Sequence, residues 1–349
     1  MNIKIESVKI SKIKSVDFNN LKFGTVFTDH MFVCNYNDGK WKNARIIPYG
    51  PISFEPSARV FHYGQAVFEG MKAYKDDNNQ IFLFRPDQSI SRLNKSAERL
   101  AIPALPEELF HRALKSLLNL DAKWVRSGFG NSLYIRPFII ASEGAIAASP
   151  AKAYQFFIIC SPAQSYYSGK IRVLIAEKYS RAANGGVGFA KAAGNYAAQF
   201  YPNHLAQEQG YEQIIWTDAA THQFLEEAGT MNVFFRINNT LITAPISDRI
   251  LDGITRKSII QLAKDNKIKI EVRNIQISEI KEAALTGRLK EVFGTGTAAV
   301  VSPISGFKHQ DFIFELPELE NSYALYFKQK LLDIQYNKEV DTYNWRVKI

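Results

Sequence analysis

Cysteine is nearly absent from this chain: Cys34 and Cys160 are the only two among 349 residues, far apart and without a CxxC. No disulfide framework or cysteine-rich metal site can be built from them, and both are expected to be inert, buried thiols. The six histidines show no His-x-x-Glu-His or His-x-His spacing, so no metal is expected. Long apolar runs are missing too. Phe156-Phe157-Ile158-Ile159-Cys160 is strand-length, far short of the roughly 20 residues a membrane helix needs. Met1-Asn2-Ile3-Lys4-Ile5-Glu6 lacks the apolar core and small-residue cleavage site of a secretory signal. A soluble, cytoplasmic protein is the expectation. No fixed-period repeat, low-complexity tract, Walker loop or Gly-x-Ser-x-Gly elbow occurs, which sets aside solenoid, disordered, P-loop and hydrolase-elbow readings.

A formal charge of +9 raises the question of a polyanionic partner. Its distribution argues against one: bases and acids interleave, as in Lys281-Glu282 and Arg288-Leu289-Lys290-Glu291, and no basic arm or stripe appears. A solvated basic surface, with neither nucleic acid nor membrane as partner, is the reading.

What is present is an ordinary globular composition, 46% apolar and 22% charged. The length exceeds that at which one core usually stops growing, so two domains are expected. Met31 to Tyr36 and Trp41 to Ile47 read as strands around Asn37-Asp38-Gly39, and Val67 to Tyr74 and Gln80 to Arg85 flank a polar turn at 76–79. Beyond Pro86 the period becomes helical, with Ile90, Leu93, Ala97 and Leu100 on one face and Pro103 closing it; a second helix should run from about Pro106 to Arg126. Two apolar strands follow, Ser132 to Ala141 and Ala153 to Cys160, joined by a small-residue loop at 143–150 that could cover a site. Ser161-Pro162-Ala163-Gln164-Ser165 reads as the start of a linker. Beyond it come strands at Ile171 to Ala176, Ile214 to Thr217, Asn232 to Ile237 and Leu241 to Ala244, with helices after Gly194 and from Thr255 to Asp265. The expected organisation is an N-terminal α/β domain over 1–164, an inter-domain linker over 165–179 and a C-terminal α/β domain over 180–349, with a cleft between the domains.

Four stretches carry chemistry. Lys191 lies in Gly185-Gly186-Val187-Gly188-Phe189-Ala190-Lys191-Ala192-Ala193-Gly194-Asn195-Tyr196. A lysine among small residues is commonly just a surface lysine; an amine meant for Schiff-base chemistry also needs close backbone approach and partial desolvation. Leu225-Glu226-Glu227-Ala228-Gly229-Thr230-Met231-Asn232 is by itself a turn before an apolar strand. It also offers the carboxylate that keeps the nitrogen of an electron-sink pyridine protonated. Leu251-Asp252-Gly253-Ile254-Thr255-Arg256, opening a helix, and Gly294-Thr295-Gly296-Thr297-Ala298-Ala299 offer backbone amides and hydroxyls to an anion, with Arg92 of Ser91-Arg92-Leu93 as a cationic supplement. The aromatics of the stretch 61–74 read first as core packing.

In order along the chain, Phe-His-Tyr-x-x-x-x-Phe-Glu-Gly-Met-Lys-Ala-Tyr (61–74), Ser-Arg-Leu (91–93), Leu-Tyr-Ile-Arg-Pro (133–137), Lys-x-x-x-Asn-Tyr (191–196), Glu-Ala-Gly-Thr-Met-Asn (227–232), Asp-Gly-Ile-Thr-Arg (252–256) and Phe-Gly-Thr-Gly-Thr-Ala (293–298) resemble the branched-chain amino acid aminotransferases. These belong to the fold type IV pyridoxal-phosphate enzymes, and the likeness runs from about Phe23 to Gln335. It implies the two-domain, D-amino-acid-aminotransferase-like α/β (α+β) fold with its active site in the inter-domain cleft. The activity implied is reversible transfer of the amino group of leucine, isoleucine or valine to 2-oxoglutarate, giving branched 2-oxo acids and glutamate.

The resemblance also assigns roles. Lys191 matches the lysine that holds pyridoxal 5'-phosphate as a Schiff base and serves as general base and then acid. Tyr196 matches the tyrosine at the ring hydroxyl oxygen and Glu227, rather than Glu226, the carboxylate at the pyridine nitrogen. Arg92, Ile254, Thr255 and Thr297 match the phosphate cradle. Tyr63, Tyr134, Arg136, Thr230 and Ala298 match residues around the substrate carboxylate, and Phe23 and Phe68 walls of the side-chain pocket. Ile146 and Ala148 lie in the loop that, in the family's homodimer, closes over the partner's site. Two departures stand out. Thr297-Ala298-Ala299-Val300-Val301-Ser302 lacks the redox CxxC that some members carry there, and Phe189-Ala190 before the lysine differs from some members. D-amino-acid aminotransferases and aminodeoxychorismate lyases share the lysine and the cradle and stay open as rivals, as does, from another class, a basic non-enzymatic binding protein.

Overall fold

The computed structural model describes residues 1–164, 169 and 171–349. Its contacts group the chain into two units, one of Met1–Tyr166, Ala190–Gly194 and Asp333–Ile349, the other of Tyr167–Phe189 and Asn195–Leu332.

In the first unit the described strands are β1 (Lys4–Ile5), β2 (His30–Asn37), β3 (Lys40–Pro48), β4 (Ala66–Phe68), β5 (Met71–Lys75), β6 (Ile81–Phe84), β7 (Ser132–Ala141) and β8 (Tyr154–Ala163). They form one sheet in the order β1-β3-β2-β8-β7-β5-β6, extended at its far edge by Arg346–Lys348, with β4 beside β7. The β2–β3 hairpin turns through Asp38 and Gly39 with φ of 54° and 75°, the double positive value a tight two-residue loop requires. After the short helix α1 (Arg59–Tyr63) come α2 (Pro86–Arg99) and α3 (Glu107–Leu120). Pro86 opens α2 with its φ preset for a helix, and Glu107 and Glu108 place negative charge in the first turn of α3. Ile90, Leu93 and Ala97 of α2, and Phe110, Leu114 and Leu117 of α3, bury one helical face each against Phe32, Leu133, Ile135 and Phe156 of the sheet, roughly 1.5–3 kcal/mol for each large side chain.

Alternation along β7 divides its side chains: Leu133, Ile135 and Ile139 join that core, while Tyr134, Arg136 and Phe138 face the other way. Pro137 is tolerated inside this strand because β7 changes neighbour there, pairing with β5 up to Ile135 and with β4 from Phe138. The expected unbroken strand from Val67 to Tyr74 is split at Glu69-Gly70 into β4 and β5. A Cβ on Gly70 would overlap the Tyr134 hydroxyl, so the break admits a tyrosine to the sheet face. Nor does the sheet end at Cys160: Ser161, Pro162 and Ala163 continue β8 opposite Tyr134, Leu133 and Ser132. The second helix stops at Leu120, followed by a 3-10 turn at Ala122–Trp124.

In the second unit β9 (Ile171–Ile175), β10 (Gln213–Thr217), β11 (Phe224–Ala228), β12 (Met231–Ile237), β13 (Thr240–Thr243), β14 (Ile270–Val272), β15 (Ile275–Gln276), β16 (Leu289–Gly296), β17 (Val300–His309) and β18 (Phe312–Glu315) form one sheet. Six of them, β12-β16-β17-β9-β10-β11, close into a ring because β11 also pairs with β12. Of the expected linker 165–179, residues 165–168 and 170 lie outside the described residues, and 171–175 are β9, flanked by β10 and β17. The helix expected after Gly194 is two, α4 (Gly194–Ala197) and α5 (Phe200–Glu208), and further along lie α6 (Ile254–Asp265), α7 (Ile277–Leu285) and α8 (Tyr323–Gln335).

Candidate active site

The residues singled out from the sequence fall in both units. Lys191 belongs to the first, where backbone bonds hold it on both sides: its N–H donates to Ser96 Oγ at 2.9 Å, and its carbonyl accepts the Phe68 N–H at 3.0 Å. Ser96 donates in turn to the Arg92 carbonyl at 2.9 Å, so α2, the lysine segment and β4 are laced together. Ala192, next in the chain, forms a bridge to Val67. The Lys191 side chain carries its Nζ 4.7 Å over the Phe68 ring.

Phe68 is shared. Its ring also lies 4.6 Å from the Arg136 guanidinium, and Arg136 Nη2 donates to the Tyr134 hydroxyl at 3.0 Å, two residues away on the same face of β7. Phe23 closes edge-on against Tyr134 at 5.0 Å. The structure thus brings Lys191, Phe68, Tyr134, Arg136 and Phe23 into one cluster, an amine and a guanidinium set among aromatic rings. The Tyr63 hydroxyl donates to the Ile146 carbonyl, and both side chains are exposed, Ile146 at 71%; Ala148, two residues on, is exposed as well. Arg59 clamps this loop, donating to the Ser149 carbonyl at 2.5 Å and the Ser149 hydroxyl at 2.6 Å.

Arg92 lies in the middle of α2, and it is gripped by Glu69, fully buried, through Nε–Oε1 at 2.7 Å and Nη2–Oε2 at 2.8 Å. Sequence reasoning passed over Glu69, treating the stretch around it as core packing. The available signal was a carboxylate and a glycine interrupting an apolar strand.

In the second unit Glu227 is 5% exposed on β11. Its Oε1 meets Arg181 Nη2 at 2.5 Å, and its Oε2 accepts the Asn232 amide and the Leu251 N–H, each at 3.1 Å. Glu226 points to the other face and pairs with Arg249; burial pushes its carboxyl above the usual range, with Arg249 opposing. Arg181 and Asn232 were also missed, since neither side chain's target can be read from its sequence neighbours.

Gly253 and Ile254 begin α6. A Cβ on Gly253 would overlap the Asn232 side-chain oxygen, so glycine lets the helix start against that amide. The α6 N-terminus has no side-chain cap and no acid in its first turn, while Asp252 just before it is matched by Lys257 at 3.0 Å. Ile254 and Thr255 are buried in that first turn. This donor set suits a phosphate dianion. Thr297 and Ala298 form the turn between β16 and β17, and Thr230 the turn between β11 and β12; the two turns approach at Gly296, where a Cβ would lie 3.2 Å from the Thr230 carbonyl. Tyr196 stands half-buried in α4, whose Asn195 donates to the Val187 carbonyl at 2.8 Å.

Among the described residues no group of three or more His, Cys, Asp or Glu is placed to hold a metal ion, and no helix is long and apolar enough to cross a membrane.

Comparison with known proteins follows these features. The family model for amino-transferase class IV matches residues 66–307. The chain is 44% identical over 356 residues to branched-chain-amino-acid transaminase 1 of Bacillus subtilis (strain 168), covering all of both chains. It is 42% identical to the branched-chain-amino-acid aminotransferase of Mycolicibacterium smegmatis, over 95% of this chain and 92% of that one. In fold it is similar to the branched-chain aminotransferase of Thermoproteus uzoniensis, with a TM-score of 0.75 at 24% identity over 91% of this chain and 99% of the other. The Escherichia coli branched-chain amino acid aminotransferase also superposes with a TM-score of 0.75, at 22% identity, covering 91% and 98%.

Proposed function

Since the chain belongs to the class IV aminotransferases, as a branched-chain amino acid aminotransferase of fold type IV, we propose that Lys191 is the amine through which it holds pyridoxal phosphate and moves the substrate proton. The observation that carries this is the setting of Lys191: a backbone pinned by Ser96 and Phe68, with its amine over the Phe68 ring beside Arg136. A pinned backbone and an aromatic wall leave the amine few directions in which to reach, which is what holding a cofactor in one orientation requires. The full-length relatives leave no ground for a binding protein or for the lyase and D-amino-acid rivals.

The residues fit the cofactor. The uncapped α6 N-terminus with Ile254 and Thr255, the Thr297 turn and the Arg92 guanidinium would hold the phosphate; Glu227, in contact with Arg181, would take the ring nitrogen, and Tyr196 the ring hydroxyl oxygen. When bound, pyridoxal phosphate supplies the electron sink that makes the substrate Cα–H acidic. Lys191 Nζ takes that proton and holds it until its return, general base and then general acid. Tyr134 and Arg136 bind the substrate carboxylate with Tyr63, Thr230 and Ala298, and Phe23 and Phe68 keep water from the branched side chain. Tyr134 and Phe68 hold the Arg136 guanidinium in place before the substrate arrives, so little ordering is left for the binding step.

We also propose a homodimer in which the loop bearing Ile146 and Ala148 meets a second copy. Exposed Phe61, Tyr63 and Ile146, and the partly buried Ile47, Phe54, Phe138 and Ile159 around Phe157, support it as apolar surface in want of cover. A cytoplasmic location is supported by two free, buried cysteines.

The test is the visible spectrum of the purified protein during half-reactions. Leucine should shift the cofactor band and 2-oxoglutarate restore it, while Lys191→Ala cycles with neither. Cycling by the alanine variant would remove Lys191 from the role.

A further inference from the structure

We propose that Arg181 is a positioning residue that holds Glu227 as a carboxylate, so that a proton shared between Glu227 and a pyridine nitrogen rests on the nitrogen. The proposal deepens the preceding reading of Glu227 and rests on it.

A carboxyl that is 5% exposed pays a desolvation cost for ionising and tends to keep its proton. Arg181 changes that balance. Its Nη2 lies 2.5 Å from Glu227 Oε1, and the guanidinium is itself buried, with 5% of its side chain exposed. The same nitrogen donates to the Gly188 carbonyl at 2.6 Å and the Arg249 carbonyl at 2.8 Å. Those two carbonyls, from separate loops, fix the cation in place.

The other carboxylate oxygen is fixed independently. Asn232 faces Glu227 across the β11–β12 hairpin, and its amide donates both to Oε2 and, at 2.9 Å, to the Leu251 carbonyl. The Leu251 N–H completes the set. Neighbouring Glu226 does not compete, because Arg249 takes it. Arg256, buried in α6, is another cation whose field reaches Glu227, but its guanidinium donates to the Ala244 carbonyl at 2.7 Å.

The chemical consequence concerns one proton and two sites. In a poorly screened interior, a neutral acid beside a neutral pyridine competes with a carboxylate beside a pyridinium. A guanidinium in contact with the acid stabilises only the second arrangement. The proton leaves the carboxyl oxygen and the nitrogen lone pair takes it; nothing is oxidised or reduced. A protonated ring nitrogen is what deepens the electron sink.

The experiment loads wild type, Arg181→Gln, Arg181→Lys and Glu227→Gln with pyridoxal phosphate carrying 15N in the ring and records the nitrogen resonance at neutral pH. Arg181→Met serves if the glutamine variant lacks native circular dichroism. Wild type and Arg181→Lys should show the upfield position of a pyridinium; the neutral variants should move downfield to that of an unprotonated pyridine, with kcat reduced and KM for leucine little changed. A folded neutral variant that keeps the pyridinium position overturns the proposal. If in that case Glu227→Gln still moves the resonance, the reading of Glu227 survives; if Glu227→Gln leaves it unmoved as well, that reading fails with it.

Discussion

Glu69 and Arg92 meet as two parallel contacts, Oε1 on Nε at 2.7 Å and Oε2 on Nη2 at 2.8 Å, with the carboxylate fully buried and the guanidinium at 10% side-chain exposure. A fork-on-fork pair fixes the plane of the guanidinium as well as its position, which is what an arginine needs if it is to present its remaining edge to a phosphate.

Glu69→Ala removes the carboxylate that grips Arg92 through Nε and Nη2. The expected loss is on the order of 3–5 kcal/mol in urea unfolding of the apo protein. Arg92→Lys, which keeps the charge without the fork, should cost less stability and still weaken pyridoxal phosphate binding by about tenfold. Equal cofactor affinity in wild type and Arg92→Lys would separate Arg92 from the phosphate.

Glu69 also shows where the sequence stops being legible. Its neighbours Phe68 and Gly70 read as a strand, and helical and strand periods identified α2, α3, β2, β3 and β7 because one buried face repeats on a simple spacing. Glu69 breaks the spacing for a partner more than twenty residues away on α2, and no local pattern announces such a partner. The same holds for Arg181, whose carboxylate is supplied by a distant hairpin. Lys191 and Glu227 stood out through their motifs, since the proposed chemistry demands those residue types; the residues that steady them answer only to the fold. Pro162 misled for a related reason: it ends most strands, yet here it lies beyond the β2–β8 pairing, which runs only to Ile158, where a missing N–H costs nothing on that side.

Asp218 gathers the turn between β10 and β11. Burial alone would raise its carboxyl, but the N–H groups of Phe224, Thr221 and Gln223 and the Thr221 hydroxyl outweigh it and hold the group below the usual aspartate value. A folded value below the unfolded one adds stability that is complete above about pH 4 and is lost as the pH falls through the depressed value. Asp218→Asn should therefore unfold with less dependence on acid below that point, besides losing roughly 1–3 kcal/mol at neutral pH. Chemical denaturation at a series of pH values from neutral to acid reads both effects.

Neither thiol should react in the native protein. Burial pushes Cys34 up to about 11 and Cys160 well above its ordinary value, and only the thiolate attacks disulfides. Titration with an aromatic disulfide near pH 7.5 should find no reactive thiol in the folded enzyme and both after denaturation, with activity untouched by mild oxidants. Reaction of either cysteine in the native state would contradict the packing around it.

Leu114, fully buried in α3 against the first sheet, reports on the core that supports β7. Leu114→Ala should cost about 2–5 kcal/mol in thermal or urea unfolding. At a temperature where the variant stays folded, KM for leucine should hardly change, because Tyr134 and Arg136 lie on the opposite face of the strand.

The central claim is that Lys191 carries the cofactor. The direct measurement is reduction of the loaded enzyme with borohydride, digestion, and mass spectrometry of the peptides. The account predicts that the added mass of a reduced phosphopyridoxyl group appears on the peptide containing Lys191 and is missing from Lys191→Ala; the same mass on any other lysine of the wild-type enzyme, or on none, would contradict it.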